Sequence, residues 1–150
     1  MRRKDREISK KQCLEILDNQ EYGTLATINN HNAPYIIPVN YVLDREYIYI
    51  HCAKDVGDKL DNIRNNKRIC FNVVSGVELL PEKFTTKYKS VTVFGDAEIM
   101  IEGKKDAILF FTKKLSPGYM EEGIKYINEA IEQIDIIRIK IDIVTGKAHI

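Results

Sequence analysis

At 150 residues, 44% apolar and 30% charged with only four prolines, the chain has the size and composition of one folded domain over 1–150. Its 23 Lys and Arg against 22 Asp and Glu leave a formal charge of +1, which excludes the broad positive field of a nucleic-acid binder but not a local anion pocket. Three cysteines without a CxxC pair, and no apolar run near the roughly 20 residues of a membrane helix, predict a reduced cytoplasmic protein without a membrane span.

In chain order, Ser9 reads as a helix cap, and Cys13, Leu14, Ile16 and Leu17 fall on one face of a helix reaching Asn19. Gly23 opens "GTLATINNHNAPYIIPVNYVLD", two β-branched strands around a reversal at 29–32. Pro34 and Pro38 cannot donate ladder hydrogen bonds, so the second strand is expected at an edge. "DRE" turns into "YIYIHC", with Tyr47, Tyr49 and His51 on one face and Ile48, Ile50 and Cys52 on the other. A short helix is expected within 56–66, then a strand at "RICFNVV", a long connection at "SGVELLPEKFTTKYK", and a strand at "SVTVFGDAEIMI" bent at Gly95.

Beyond Gly103 the period becomes helical. Ala107, Ile108, Phe110 and Phe111 form one face, and Ile124, Ile127, Ile131 and Ile134 form another after "SPGY". The terminal "IIRIKIDIVTGK" alternates, placing Ile137, Ile139, Ile141 and Ile143 together on one side. Six or seven strands joined mostly by short links predict a mostly β fold, an antiparallel barrel with peripheral helices.

His51 and Cys52 are neighbours on a strand and point to opposite faces, and no spaced HxH or CxxC exists, so no metal site is expected. GxSxG, HExxH, GxxxxGK and GxGxxG are all absent. Gly57 and Lys59 before a helix read either as solvated surface or as an anion site, in which free N-terminal amides and one ammonium meet a phosphate. Asp55 and Asp58 count against the second reading unless they cap the helix. "FTTKYKS" offers hydroxyls from Thr85, Thr86, Tyr88 and Ser90 beside Lys87 and Lys89.

"YGTLATI", "APYIIPVNYVLDREYIYIHCA", "GDKLDNIRNNKRICFNV", "TTKYKSVTVFGDAEI" and "IRIKIDIVTGK", in this order, resemble the flavin-binding split-barrel superfamily of pyridoxamine-phosphate-oxidase-like proteins, in its nitroimidazole-resistance branch. The resemblance implies a homodimer of split β-barrels with FMN, or FAD, at the subunit interface and NADH or NADPH as electron donor. It implies flavin-facing backbone at Leu25, Ala26, Thr27, Pro38, Val39, Asn40 and Tyr41. His51 and Lys59 would hold the polar end, with Lys59 on the phosphate, and Thr85, Tyr88, Lys89 and Ser90 would approach from a later loop, in one arrangement the partner's. His51 or Tyr41 would serve as proton donor, and the reaction would reduce a small oxidised substrate such as a nitro compound. The alternatives are a flavin- or haem-binding module without turnover, and a dimeric structural protein.

Overall fold

Ser9 caps the first helix reciprocally: its hydroxyl accepts from the Gln12 backbone N–H at 3.2 Å, and the Gln12 side chain accepts from the Ser9 N–H at 2.9 Å. The computed structural model describes residues 3–150. Helix α1 (Lys10–Asn19) follows a two-residue strand β1 (Glu7–Ile8), which the sequence did not signal, and turns Cys13 and Leu17 into the core.

Strands β2 (Tyr22–Ile28), β3 (Pro34–Asn40), β4 (Val42–Asp44), β5 (Tyr47–Ala53), β6 (Arg68–Leu80), β7 (Thr85–Ile99) and β8 (Ile134–His149) form one antiparallel sheet in the order β3-β2-β6-β7-β8-β5-β4. Strand β1 adds to β8. The sheet curls into a barrel that no ladder closes between its end strands β3 and β4, which leaves it split. The proline-bearing β3 is an edge, as its two missing donors require.

Alternation on β5 separates two apolar layers. Ile48 and Ile50 enter the barrel with Leu25, Phe71, Val91, Val93, Ile137 and Ile139, and helix α2 (Asp58–Asn65) adds Leu60 and Ile63 to them. Tyr49 faces outward, where it packs with Val42 and Ile136 against Ala107, Ile108 and Phe111 of α3 (Lys104–Leu115) and Ile127 of α4 (Met120–Ala130). Each fully buried aliphatic side chain contributes about 1.5–3 kcal/mol relative to exposure.

Three expectations are corrected. The supposed connection at 75–89 is mostly strand, because β6 and β7 continue as a hairpin pairing Glu78 with Lys87 and Leu80 with Thr85, turned by Pro81–Lys83. Ile134 opens β8 instead of closing a helix. Ile143 leaves the row of Ile137, Ile139 and Ile141 because Phe94 pairs with Ile143 while Gly95 pairs with Ile141. The extra residue, Asp142, bulges and reverses the facing beyond it. No helix among the described residues is long and apolar enough to cross a membrane.

Candidate flavin site

The turn before α2 is held from below. Asp135, nearly fully buried, accepts from the Asp55 backbone N–H at 2.9 Å and from the Lys104 ammonium at 3.1 Å; that ammonium also donates to the Ile134 carbonyl. Burial works to raise the Asp135 pKa, but these donors outweigh it and hold the carboxyl below its ordinary value. Gly57 stands at φ +102 as the N-cap, with no side chain capping the helix. A Cβ there would lie 3.5 Å from the Lys59 ammonium, so glycine leaves open the space beside the charge.

The Arg64 guanidinium binds Asp55 and Asp61, at 2.6 and 2.9 Å, whereas Asp58, the first residue of α2, does not cap the helix, and its carboxylate at the helix start counts against an anion there. Lys59 has no ion-pair partner among the described residues, and it is the leading positive influence on the nearby Cys52 thiol, whose pKa burial nevertheless raises. A buried hydrogen bond from Asn62 to Thr27, at 2.9 Å, ties α2 to β2.

His51 faces the helical layer. Its ring meets Phe111 edge-on, with centroids 4.8 Å apart, at a cavity of about 380 Å³ between β5, α3 and α4. The residue is exposed at the cavity mouth, yet the protein around its ring displaces enough water to push the imidazole below its ordinary pKa. This contribution to stability is present above the ordinary histidine pKa and is lost as pH falls through the folded value. Phe111→Ala should move the His51 pKa up toward about 6.5. Titration of the His51 ring signals by NMR would show it, and an unmoved pKa would refute burial as the cause.

The other expected residues divide by facing. Leu25, Thr27, Val39 and Tyr41 turn inward or into partly buried positions, whereas Ala26, Pro38 and Asn40 lie on the outer side of β2 and β3. Backbone at Thr24–Ala26 is paired on both sides, with β3 and with β6, so free backbone groups belong to the unpaired edge of β3. Tyr41 has no accessible surface. Its hydroxyl donates to the Leu17 carbonyl at 2.5 Å, its ring meets Phe71 at 4.9 Å, and burial raises its pKa. The proton-donor role expected of Tyr41 finds no exposed hydroxyl here.

Thr85, Tyr88, Lys89 and Ser90 stand far from His51 within one chain. His51 pairs with Ile136 on β8 and Lys89 pairs with Ala148 on the same strand, twelve residues away, which is about 40 Å of strand path. Lys89 instead borders a separate cleft with Gln12, Glu15 and Ala148. Tyr88 lies under the Lys147 ammonium, and hydrogen bonding to Lys147 lowers its pKa.

The sheet's outer face carries an ordered pattern. Register places Ile36, Ala26, Cys70, Phe94 and Ile143 side by side across five strands, and Pro38, Thr24, Asn72, Thr92 and Thr145 in the adjacent row. Ile36 is 64% exposed, Phe94 42% and Ile143 55%, a contiguous apolar band beside a polar one.

The sequence profile of the pyridoxamine 5'-phosphate oxidase family matches residues 9–148. The chain belongs to this family of FMN-binding split barrels. A 5a,11a-dehydrotetracycline/5a,11a-dehydrooxytetracycline reductase of Streptomyces rimosus is 31% identical over 90 residues, covering 58% of this chain and 61% of that protein. A crystal structure described as a candidate 5-nitroimidazole antibiotic resistance protein of Bacteroides thetaiotaomicron superposes with a TM-score of 0.79 at 19% identity, over 95% of this chain and 86% of that one. The flavocytochrome Anf3 of Azotobacter vinelandii gives 0.81 at 20% identity, over 95% of this chain and 68% of that one. At these identities the superpositions establish the fold alone.

Set against the Asp58 carboxylate, the start of α2 offers the phosphate of the FMN that the pyridoxamine 5'-phosphate oxidase fold implies first-turn amides with no side-chain cap and one ammonium without an ion-pair partner among the described residues, beside a glycine that φ +102 requires. Asn72 was missed by sequence reasoning. Its amide nitrogen reaches the Val91 carbonyl at 2.9 Å, Thr92 Oγ1 at 3.0 Å and Ser90 Oγ at 3.2 Å; since the Val91 oxygen can only accept, the amide orientation is fixed. The signal lay in "RICFNVV", where Asn72 shares the alternate face with Arg68, Cys70 and Val74.

Proposed function

We propose that the protein is a flavin-dependent oxidoreductase of the cytoplasm that passes electrons from NADH or NADPH through FMN to a small oxidised substrate such as a nitro compound. The carrying observation is the Lys59 ammonium beside the side-chain-free Gly57 at the uncapped start of α2. When bound, FMN would supply two-electron exchange between nicotinamide and substrate.

The chain's own residues bind and orient. Lys59 and the first amides of α2 take the phosphate. The free edge of β3 offers carbonyls and the amides its prolines leave, beside Ala26, Pro38 and Asn40. His51, neutral near pH 7 because of its lowered pKa, keeps a proton on one ring nitrogen and presents it to the substrate. Asp135 and Lys104 hold the 54–57 turn in place from beneath.

The working unit in this reading is a homodimer joined through the apolar outer row. In such a dimer the hairpin residues Thr85, Tyr88, Lys89 and Ser90 of one protomer would complete the site of its partner, since within one chain they stand far from His51.

Lys59→Ala should weaken FMN at least tenfold, about 1.4 kcal/mol, and leave riboflavin within twofold, because riboflavin has no phosphate for the ammonium to meet. Flavin fluorescence titration measures both. An FMN affinity that stays within twofold would remove Lys59 from the site.

Likeness to a flavocytochrome favours one second reading, a flavin- or haem-carrying module without turnover. Purified protein that carries the cofactor yet oxidises no reduced nicotinamide in the presence of nitro compounds or quinones would decide for it.

A further inference from the structure

The cavity beneath His51 has a composition that the phosphate site does not explain. Its floor is Ile108, Phe111, Leu115 and Ile127, Tyr119 and Tyr126 stand at its rim, and at about 380 Å³ it falls within the range of small-molecule sites. Tyr119 is 67% and Tyr126 69% exposed, an arrangement of aromatic faces that packing within the chain leaves uncovered. His51 has no hydrogen-bond partner among the described residues, although its ring is fixed edge-on against Phe111. A buried apolar floor with one oriented donor at its end and aromatic rings at its lip suits a flat molecule carrying an acceptor. Glu122 is the only acidic or basic side chain in the lining apart from His51, so the cavity's own charge is negative.

We infer that this cavity binds a small planar aromatic compound, neutral or cationic, whose polar acceptor meets the His51 ring nitrogen while its ring lies on Phe111 between Tyr119 and Tyr126. The binding site stands on the cavity itself; naming its occupant the substrate rests on the oxidoreductase reading. Anionic compounds of the same shape are disfavoured because the exposed Glu122 carboxylate at the mouth repels them. The cavity is too small for a peptide helix and has no row of backbone donors for an extended strand, so a small molecule is the occupant its shape accepts.

Three matched probes test this on the full chain freed of flavin: 4-nitrobenzyl alcohol, 4-nitrobenzylamine and 4-nitrobenzoate, neutral, cationic and anionic. The His51 imidazole signals are followed by NMR as each is added. Saturable shifts are expected with the alcohol and the amine, and binding of the benzoate weaker by about fivefold or more. Glu122→Gln should close most of the gap between amine and benzoate. His51→Ala should weaken the alcohol by about tenfold, followed by the probe's own NMR signals, and His51→Gln, which keeps a donor, should restore part of it. Both positions are exposed, so these variants should fold. Three results overturn the inference: no saturable shift with any probe, benzoate binding as tightly as the amine, or alcohol affinity unchanged in His51→Ala. Because no flavin is present, these outcomes are independent of whether Lys59 holds FMN.

Discussion

Gly95→Ala is expected to destabilise the fold by about 3 kcal/mol or more, a loss seen as a lower urea midpoint. The added Cβ would lie 2.0 Å from the Lys140 carbonyl oxygen, and this neighbour is backbone that cannot rotate away. Gly95 also marks the point where β7 meets the bulge of β8, between the Phe94–Ile143 and Gly95–Ile141 pairs. Relief would require the two longest strands to part beside the bulge, breaking ladder hydrogen bonds on both sides of it. Gly118→Ala is the control, since nothing lies within 4 Å of its added Cβ. A midpoint for Gly95→Ala equal to that of Gly118→Ala would mean that the close approach of β7 and β8 is wrong.

Phe94→Asp should turn the proposed homodimer into monomers at micromolar concentration. Phe94 is the fourth of the five residues in the outer row, between Cys70 and Ile143. A carboxylate desolvated there costs several kcal/mol, enough to raise the dissociation constant by about a thousandfold, because Arg68, which borders the same pocket, is already paired with Asp96 and Asp142. Sedimentation velocity gives the assembly state directly. Ile101→Asp serves as control, because Ile101 is equally apolar and 91% exposed but lies outside the row. FMN should leave Phe94→Asp together with the dimer if the hairpin residues of one protomer complete the site of the other. Unmodified protein that sediments as a monomer, or a Phe94→Asp dimer as tight as the Ile101→Asp one, would remove the outer face as the interface.

Much of the fold could be read from side-chain alternation, because facing within one strand is a local property. Ile48 and Ile50 against Tyr47, Tyr49 and His51, the Ser9 cap, and the edge position of the proline-bearing strand follow from two or three residues each. What depends on register could not be read. Ile143 follows the period of its strand in sequence and departs from it in space, because one unpaired residue, Asp142, turns the remainder over. The outer row from Ile36 to Ile143 draws one residue from each of five strands, and no window of sequence contains it. The hairpin at 75–89 was hidden by Gly76, Pro81 and its lysines, which carry the composition of a loop while the ladder continues past them.

The site divides in the same way. The α2 start was visible as Gly57 and Lys59, a local pattern with a physical meaning of its own, but the turn's support by Asp135 comes from eighty residues away. Tyr41 looked chemically able until its surroundings were known, and the hydrogen bond to Leu17 makes it a tie between helix and sheet.

Strands β7 and β8 are antiparallel neighbours, so everything between residues 99 and 134 is in effect the loop of a long hairpin. Both walls of the cavity that belong to α3 and α4 are therefore carried on an insertion whose ends are already pinned together. Such a segment can be rewritten or exchanged between relatives while the barrel's ladders stay as they are, which makes the choice of ligand separable from the inheritance of the scaffold.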